Sequence, residues 1–199
     1  MSAPTALVPA AHGSEEIETV TLVDVLRRAG VDVTLASVER TLKVRCSRGV
    51  RLVADALLAD CATQTYDLIA LPGGAAGAQR LRDCAALIAL LRTQRDRGGA
   101  YAAMCAAPAL VLAAHGLLPA RATAHPAFMD TLESALGPGA STARVVRDGT
   151  VITSRAPGTA LEFALALVEL VCGPARAAEV AAPMLPAPMS PAGAEPPPQ

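Results

Sequence analysis

The 199 residues are 52% hydrophobic with a formal net charge of −1, which describes one compact domain with a sizeable core and excludes a disordered chain. Seventeen Lys and Arg against 18 Asp and Glu leave no basic excess, so no dedicated nucleic-acid site is expected, and no cationic amphipathic helix points to a membrane. With two Phe, two Tyr and no Trp, the core has to be aliphatic.

Ala6-Leu7-Val8 reads as a short first strand, and Ser14 as the N-cap of a helix running to about Ala29, with Gly30 ending it. Leu22, Val25, Leu26 and Ala29 form one apolar stripe on that helix. Glu15 and Glu16 fall where negative charge suits a helix N-terminus. Glu18 falls within the apolar stripe, where a carboxylate has to be neutralised or partnered; it is either an exposed edge or a functional acid. A second strip, Ile17, Val20 and Val23, lies opposite, so another layer of the chain or a second subunit covers it.

Val31 to Ser37 completes a strand–helix–strand unit, the signature of a parallel sheet. Lys43–Cys46 and Val50–Val53 read as short strands around Ser47-Arg48-Gly49, and an arginine at a turn is a ready anion clamp. Asp67 to Leu71 is a buried strand ended by Pro72-Gly73-Gly74, which lets backbone N–H groups face whatever lies above the strand. No G-x-G-x-x-G occurs, so this is not a dinucleotide site. A helix from about Cys84 to Arg97 follows.

Gly98 to Gly116 carries no charged residue. Pro108 inside it and glycines at both ends argue against a membrane span and for buried strand, sharp turn and short helix, with Cys105 on the turn. There, unpaired helical N–H groups and the helix dipole favour the thiolate, the nucleophilic form; a small core hydrophobe is the competing reading. Beyond it come a strand near 121–124, His125-Pro126, a helix over 127–136, strands at 143–146 and 150–153, and the Ser154–Gly158 loop bearing Arg155 and Pro157. Thr159-x-x-Glu162 reads as a capping box opening a helix to Cys172, and a brief helix over 176–180 ends the domain at residue 181. Residues 182–199 are too proline-rich to pack and should form a disordered tail.

Five cysteines form no C-x-x-C pair and three histidines no H-x-x-x-H pattern, which points to reduced thiols in a cytoplasmic protein and away from a zinc site. The N-terminal MSAPTALVPAAHG has no positive leader, so no signal peptide is expected. Ligand sites of open α/β sheets gather beyond the carboxyl ends of the strands, where Cys105, Pro72-Gly73-Gly74, His125 and the Arg155 loop all fall.

The segments GSEEIETVTLVDVLRRAGVDVT, CSRGV, YDLIALPGG, AAMCAAPA, His125-Pro126 and TSRAPGTALEFALALVE together resemble the ThiJ/PfpI superfamily, most closely its branch of parkinsonism-associated deglycase (DJ-one) and bacterial YajL, over about residues 5 to 183. The resemblance implies an α/β, flavodoxin-like three-layer sandwich and a homodimer through the first helix. It implies Cys105 as the nucleophile, Glu18 as a protonated carboxyl at its sulfur, and His125 close by. Backbone N–H groups at Gly74 and Ala106 would form the oxyanion site, Arg48 and Arg155 would bind anions, and Pro157 would border the entrance, with Arg48 reaching over from a partner subunit. Ala75 and Ala156 replace residues common in the family, removing a polar pocket contact and narrowing the entrance. The implied activity is a glutathione-independent glyoxalase or protein deglycase that needs no cofactor and no metal. It would act on methylglyoxal or glyoxal, free or as early adducts on glycated proteins. The alternative is a redox-sensing chaperone whose Cys105 is oxidised to sulfinate. A glutamine-amidotransferase-like reading lacks its H-x-E, and a thiol peptidase is a distant third.

Overall fold

The computed structural model describes residues 3–185. Strand β1 (Thr5–Ala10) leads into helix α1 (Glu16–Arg28), followed by β2 (Asp32–Ser37), the hairpin strands β3 (Lys43–Arg45) and β4 (Arg51–Val53), β5 (Ala56–Leu57) and the single turn α2 (Leu58–Cys61). Then come β6 (Leu68–Leu71), α3 (Ala75–Arg82), α4 (Ala85–Asp96), β7 (Ala100–Met104), α5 (Met129–Leu136), β8 (Val145–Asp148), β9 (Val151–Ser154), α6 (Ala160–Cys172) and α7 (Pro174–Ala181).

The central sheet runs β5-β2-β1-β6-β7-β9-β8, all parallel except the β8–β9 edge, and β3 and β4 pair separately. Within it, β2-β1-β6-β7-β9 is the 2-1-3-4-5 order of a flavodoxin-like sheet. Alternation sends successive residues to opposite faces. Ala6, Val8 and Ala10 of β1 join Leu22, Leu26 and Phe163 in the core under α1 and α6. Leu7 joins Leu81, Leu87 and Leu91 in the core under α3 and α4. Both faces are covered, which is why β6 and β7 read as unbroken apolar runs. The result is the expected three-layer sandwich.

Several local expectations are corrected. Ser14 is not the N-cap of α1: its Oγ accepts from the Ala11 N–H, while Glu15 caps, its carboxylate accepting from the Glu18 N–H at 2.8 Å. Residues 121–124 form only an isolated bridge, Ala122 to Ala140, because side chains take the N–H groups of Arg121 and Thr123. The Thr159/Glu162 capping box does not form. Thr159 Oγ1 accepts from the Ala156 N–H, and Glu162 instead meets Arg144 at 2.6 Å. Val23 of the second strip is buried in the core beside Leu52, leaving Ile17 and Val20 exposed. Of the expected tail, Ala182–Met184 form a 3₁₀ turn and residues 186–199 lie outside the described residues.

Candidate active site

Three chain segments leave the sheet at its C-terminal edge and meet: the β1–α1 connection, the Pro72-Gly73-Gly74 turn after β6, and Cys105 after β7. That edge, beside the point where the strand order reverses between β1 and β6, is where a sheet of this order leaves a crevice.

Cys105 ends β7 with φ 60°. A side chain in the left-handed region costs about 1–2 kcal/mol relative to glycine, so the surroundings have to hold it there. They do so at both peptide groups: the Cys105 N–H donates to the Ser154 carbonyl at 2.9 Å, and the Cys105 carbonyl accepts from the His125 N–H at 2.8 Å. The sharp turn lifts the sulfur out of the sheet toward solvent; Cys105 is 7% exposed and lines a cavity of about 770 Å³. The helix expected after it is present but wound as a π turn, Pro108–Leu112, then a 3₁₀ turn, closed by Gly116 at φ 64°.

Glu18 lies beneath the sulfur and is wholly buried, which rules out the exposed-edge reading. Its Oε2 accepts from the Gly73 N–H at 2.7 Å, and its Oε1 has no hydrogen-bond partner among the described residues. Gly73 has to be glycine. A Cβ there would sit 2.4 Å from Cys105 Cβ, 2.8 Å from Glu18 Oε2 and 3.0 Å from Cys105 Sγ. The same distances show how tightly the acid and the thiol converge on one spot.

The N–H groups of Gly74 and Ala106 point to the sulfur and favour its ionised form, as the turn position leads one to expect. They do not decide its proton. Burial first, and the neighbouring Glu18 carboxylate second, push the Cys105 thiol up to about 12. Burial likewise pushes Glu18 up, to about 7, against the Gly73 hydrogen bond. The pocket has no room for two negative charges, so a thiolate at Cys105 goes with a protonated Glu18. The turn donors favour the thiolate, as expected, but burial and the Glu18 charge outweigh them, so the pair carries one charge between its two groups.

The structure brings Cys105, Gly74, His125, Arg48 and Pro157 to the cavity wall, with Ala106 buried behind it. His125 is half-buried; its Nδ1 accepts from the Ala127 N–H, so the neutral ring carries its proton on Nε2. Arg155 is not among the lining residues: its guanidinium donates to the carbonyls of Ala124 and Thr142, which steadies the segment that leads into His125. Ala75 lines the cavity without a polar group. Sequence reasoning missed two residues. Glu16 is buried and accepts from Ser47 Oγ and the Arg48 N–H, both at 2.8 Å, which ties the β3–β4 turn to α1. Arg45, on the same hairpin, also lines the cavity. No group of His, Cys, Asp and Glu suited to a metal occurs among the described residues.

Residues 4–170 match the DJ-1/PfpI family. The chain belongs to that family. It is 45% identical over 187 residues to the zebrafish (Danio rerio) Parkinson disease protein 7 homolog, covering 93% of this chain and 98% of the relative. It is 41% identical over 161 residues to the Caenorhabditis elegans glutathione-independent glyoxalase DJR-1.2, covering 81% and 84%. The solved structure of oxidized Toxoplasma gondii DJ-1 superposes with a TM-score of 0.88 at 47% identity, covering 92% of this chain and 98% of that one. The chain spans less than half the length of two Arabidopsis thaliana relatives, DJ-1 homologs A and B. Among the described residues of this DJ-1/PfpI protein, no helix is long and apolar enough to cross a membrane.

Proposed function

We propose that this chain is a glutathione-independent glyoxalase that also acts on early adducts of 2-oxoaldehydes with proteins, with Cys105 as nucleophile and Glu18 as proton carrier. The observation that carries the reading is the pair itself: a thiol on a strained turn at a cavity wall, directly over a buried carboxyl whose pKa lies at about 7. A group poised there both holds and releases a proton at neutral pH. The C. elegans relative named as a glyoxalase supports the same chemistry.

In this scheme the Cys105 thiolate attacks the aldehyde carbon of methylglyoxal, and the carbonyl oxygen takes a proton to give a hemithioacetal. Glu18, as carboxylate, then removes the hydrogen from that carbon and returns it to the adjacent one, converting hemithioacetal to lactoyl thioester with no net oxidation. Water cleaves the thioester to lactate and regenerates the thiol. The Gly74 and Ala106 N–H groups face the developing oxyanion, and such donors act most strongly where water is excluded. The His125 Nε2–H, on the same wall, orients the second carbonyl. The test is lactate formation from methylglyoxal without glutathione: wild type is expected to produce it and Cys105→Ser to lose it. Undiminished turnover by Cys105→Ser, or none by wild type, overturns the reading.

A second reading draws on the T. gondii relative, whose structure is named as oxidized. Two equivalents of peroxide take a thiolate to sulfinate, releasing two waters, and the Gly74 and Ala106 donors with protonated Glu18 suit the product oxygens. If redox-sensing chaperone action is the role, peroxide-treated protein suppresses client aggregation while methylglyoxal is left unconsumed.

Exposed Ile17 and Val20 on α1, with Val50 beside Glu16 on the hairpin, supply an apolar face for a second copy of this chain. A homodimer through α1 would also bring Arg48 within reach of the partner's cavity.

A further inference from the structure

The cavity is far larger than methylglyoxal, and its wall on the hairpin side is cationic. Arg45 and Arg48 both line it, and neither guanidinium has a carboxylate or carbonyl partner among the described residues. The one carboxylate on the wall, Glu15, is engaged in capping α1. The Arg45 backbone is clamped from two sides, its N–H donating to His12 Nδ1 at 3.0 Å and its carbonyl accepting from the Gly13 N–H at 2.8 Å. The Arg48 N–H is held by Glu16 at 2.8 Å. The two arginines therefore stand on a pinned turn. An adjoining cavity of about 510 Å³ shares Gly13, Arg45, Cys46 and Ala76 with the first and adds His12 and Arg80, so Arg45 stands at the junction of the two. Glu39 occupies Arg80, at 3.5 Å, and leaves Arg45 as the unengaged cation there.

An unpaired guanidinium held by its backbone beside a nucleophile is a site for an oxyanion, because the planar fork matches phosphate and carboxylate geometry. We infer that Arg45 is a specificity-determining residue, distinct from the anion-binding role the family resemblance gives Arg48, and that it binds a phosphate or carboxylate carried by the substrate beyond its reacting carbonyl. The preferred substrates are thus 2-oxoaldehydes or adducts on anionic carriers rather than neutral methylglyoxal itself. This rests on Cys105 being the reactive thiol, and the test reads that thiol without needing turnover.

Iodoacetamide and iodoacetate alkylate a thiolate by the same displacement of iodide and differ chiefly in one negative charge. Their rates at Cys105, followed by mass spectrometry of the peptide that contains it, report the field of the cavity. The ratio of iodoacetate to iodoacetamide rate is expected to fall roughly threefold to tenfold in Arg45→Gln and to be unchanged in Arg92→Gln, which removes the same charge from an exposed site on α4. Inorganic phosphate and acetate, each added at matched ionic strength, are expected to slow iodoacetate. The stronger competitor identifies whether phosphate or carboxylate is preferred. An unchanged ratio in Arg45→Gln, or a rate indifferent to both anions, overturns the inference. Absence of lactate formation from methylglyoxal bears on the glyoxalase reading alone and leaves the alkylation ratio standing.

Discussion

The Gly73 N–H donates to Glu18 Oε2 at 2.7 Å across 55 residues of sequence, fastening a carboxyl from the first helix to the turn whose next N–H, that of Gly74, faces the Cys105 sulfur. The acid is thereby held by one oxygen and left with the other for proton exchange. Glu18→Gln keeps an acceptor for Gly73 but cannot carry a proton. It is expected to lower kcat for methylglyoxal by about 10²–10⁴-fold, the range of general acid–base catalysis, and to abolish any titration of kcat/KM near pH 7. Turnover within tenfold of wild type, with the pH profile intact, would remove Glu18 from the chemistry.

The same substitution has a stability signature of definite sign. Burial raises Glu18 from 4.5 to about 7 in the folded protein, so the folded state binds the proton more tightly than the unfolded one. Stability from this group is fully present below about pH 4.5 and is lost as pH rises through 7, a difference of the order of 3 kcal/mol. Urea unfolding of wild type and Glu18→Gln should show the variant gaining on wild type between pH 5 and 8. A constant difference across that range would mean that Glu18 titrates normally.

Gly73→Ala places a methyl 2.4 Å from Cys105 Cβ, against backbone-anchored atoms that have no room to yield. Overpacking of this kind costs about 1–3 kcal/mol. The variant is expected to lose thermal stability and also to change the alkylation rate of Cys105, since relief requires the sulfur or the Glu18 carboxyl to move. A Tm and a thiol reactivity both equal to wild type would contradict the close approach.

Strain at the elbow is separable from its chemistry. Cys105→Ala keeps a Cβ at φ 60° whereas Cys105→Gly does not. Cys105→Gly should therefore unfold at higher denaturant than Cys105→Ala, by about 1 kcal/mol, although glycine is the less favourable residue elsewhere. The reverse order would mean that the turn is unstrained.

The layered fold was legible in the sequence because its parallel strands are buried on both faces and its helices carry stripes; β6 and β7 could hardly read otherwise. Glu18 and Cys105 were visible for the converse reason, each being the residue that its local pattern does not explain. What escaped were roles conferred by distant partners. Glu16 looks like an ordinary first-turn acid until Ser47 and Arg48, some thirty residues on, fold over it. Ser14 and Thr159 had the right chemistry for caps, but nearer N–H groups, those of Ala11 and Ala156, took their oxygens. The height of the Cys105 pKa was illegible because it depends on burial and on Glu18 together.

The exposed apolar face on α1 gives a direct test of assembly. Ile17 is 55% and Val20 48% exposed, while Thr19 and Leu22 are buried. Val20→Glu adds a charge to that half-exposed face. Wild type is expected to sediment as a dimer at micromolar concentration and Val20→Glu as a monomer with the same Tm, since a charge buried in an interface without a partner costs several kcal/mol. A monomeric wild type would leave the face without this role.

Glu16, two residues before Glu18, should respond to pH in the opposite sense. Burial would raise it, but hydrogen bonds from Ser47 Oγ and from the N–H groups of Arg48 and Val50 outweigh that and hold it below its ordinary 4.5. Its folded form therefore releases the proton more readily than the unfolded chain does. The stability it contributes is present above pH 4.5 and lost as pH falls through the folded value. Glu16→Ala leaves the Arg48 N–H and Ser47 hydroxyl without their acceptor, at a cost of about 1–3 kcal/mol at pH 7. The deficit should shrink toward pH 3 as wild type loses the same interactions. Limited proteolysis should find Arg48 newly cleavable in the variant, because among the described residues only Glu16 accepts from its N–H. If the deficit is instead flat with pH and the turn stays resistant, Glu16 is a space-filling side chain and not the anchor of the cavity wall.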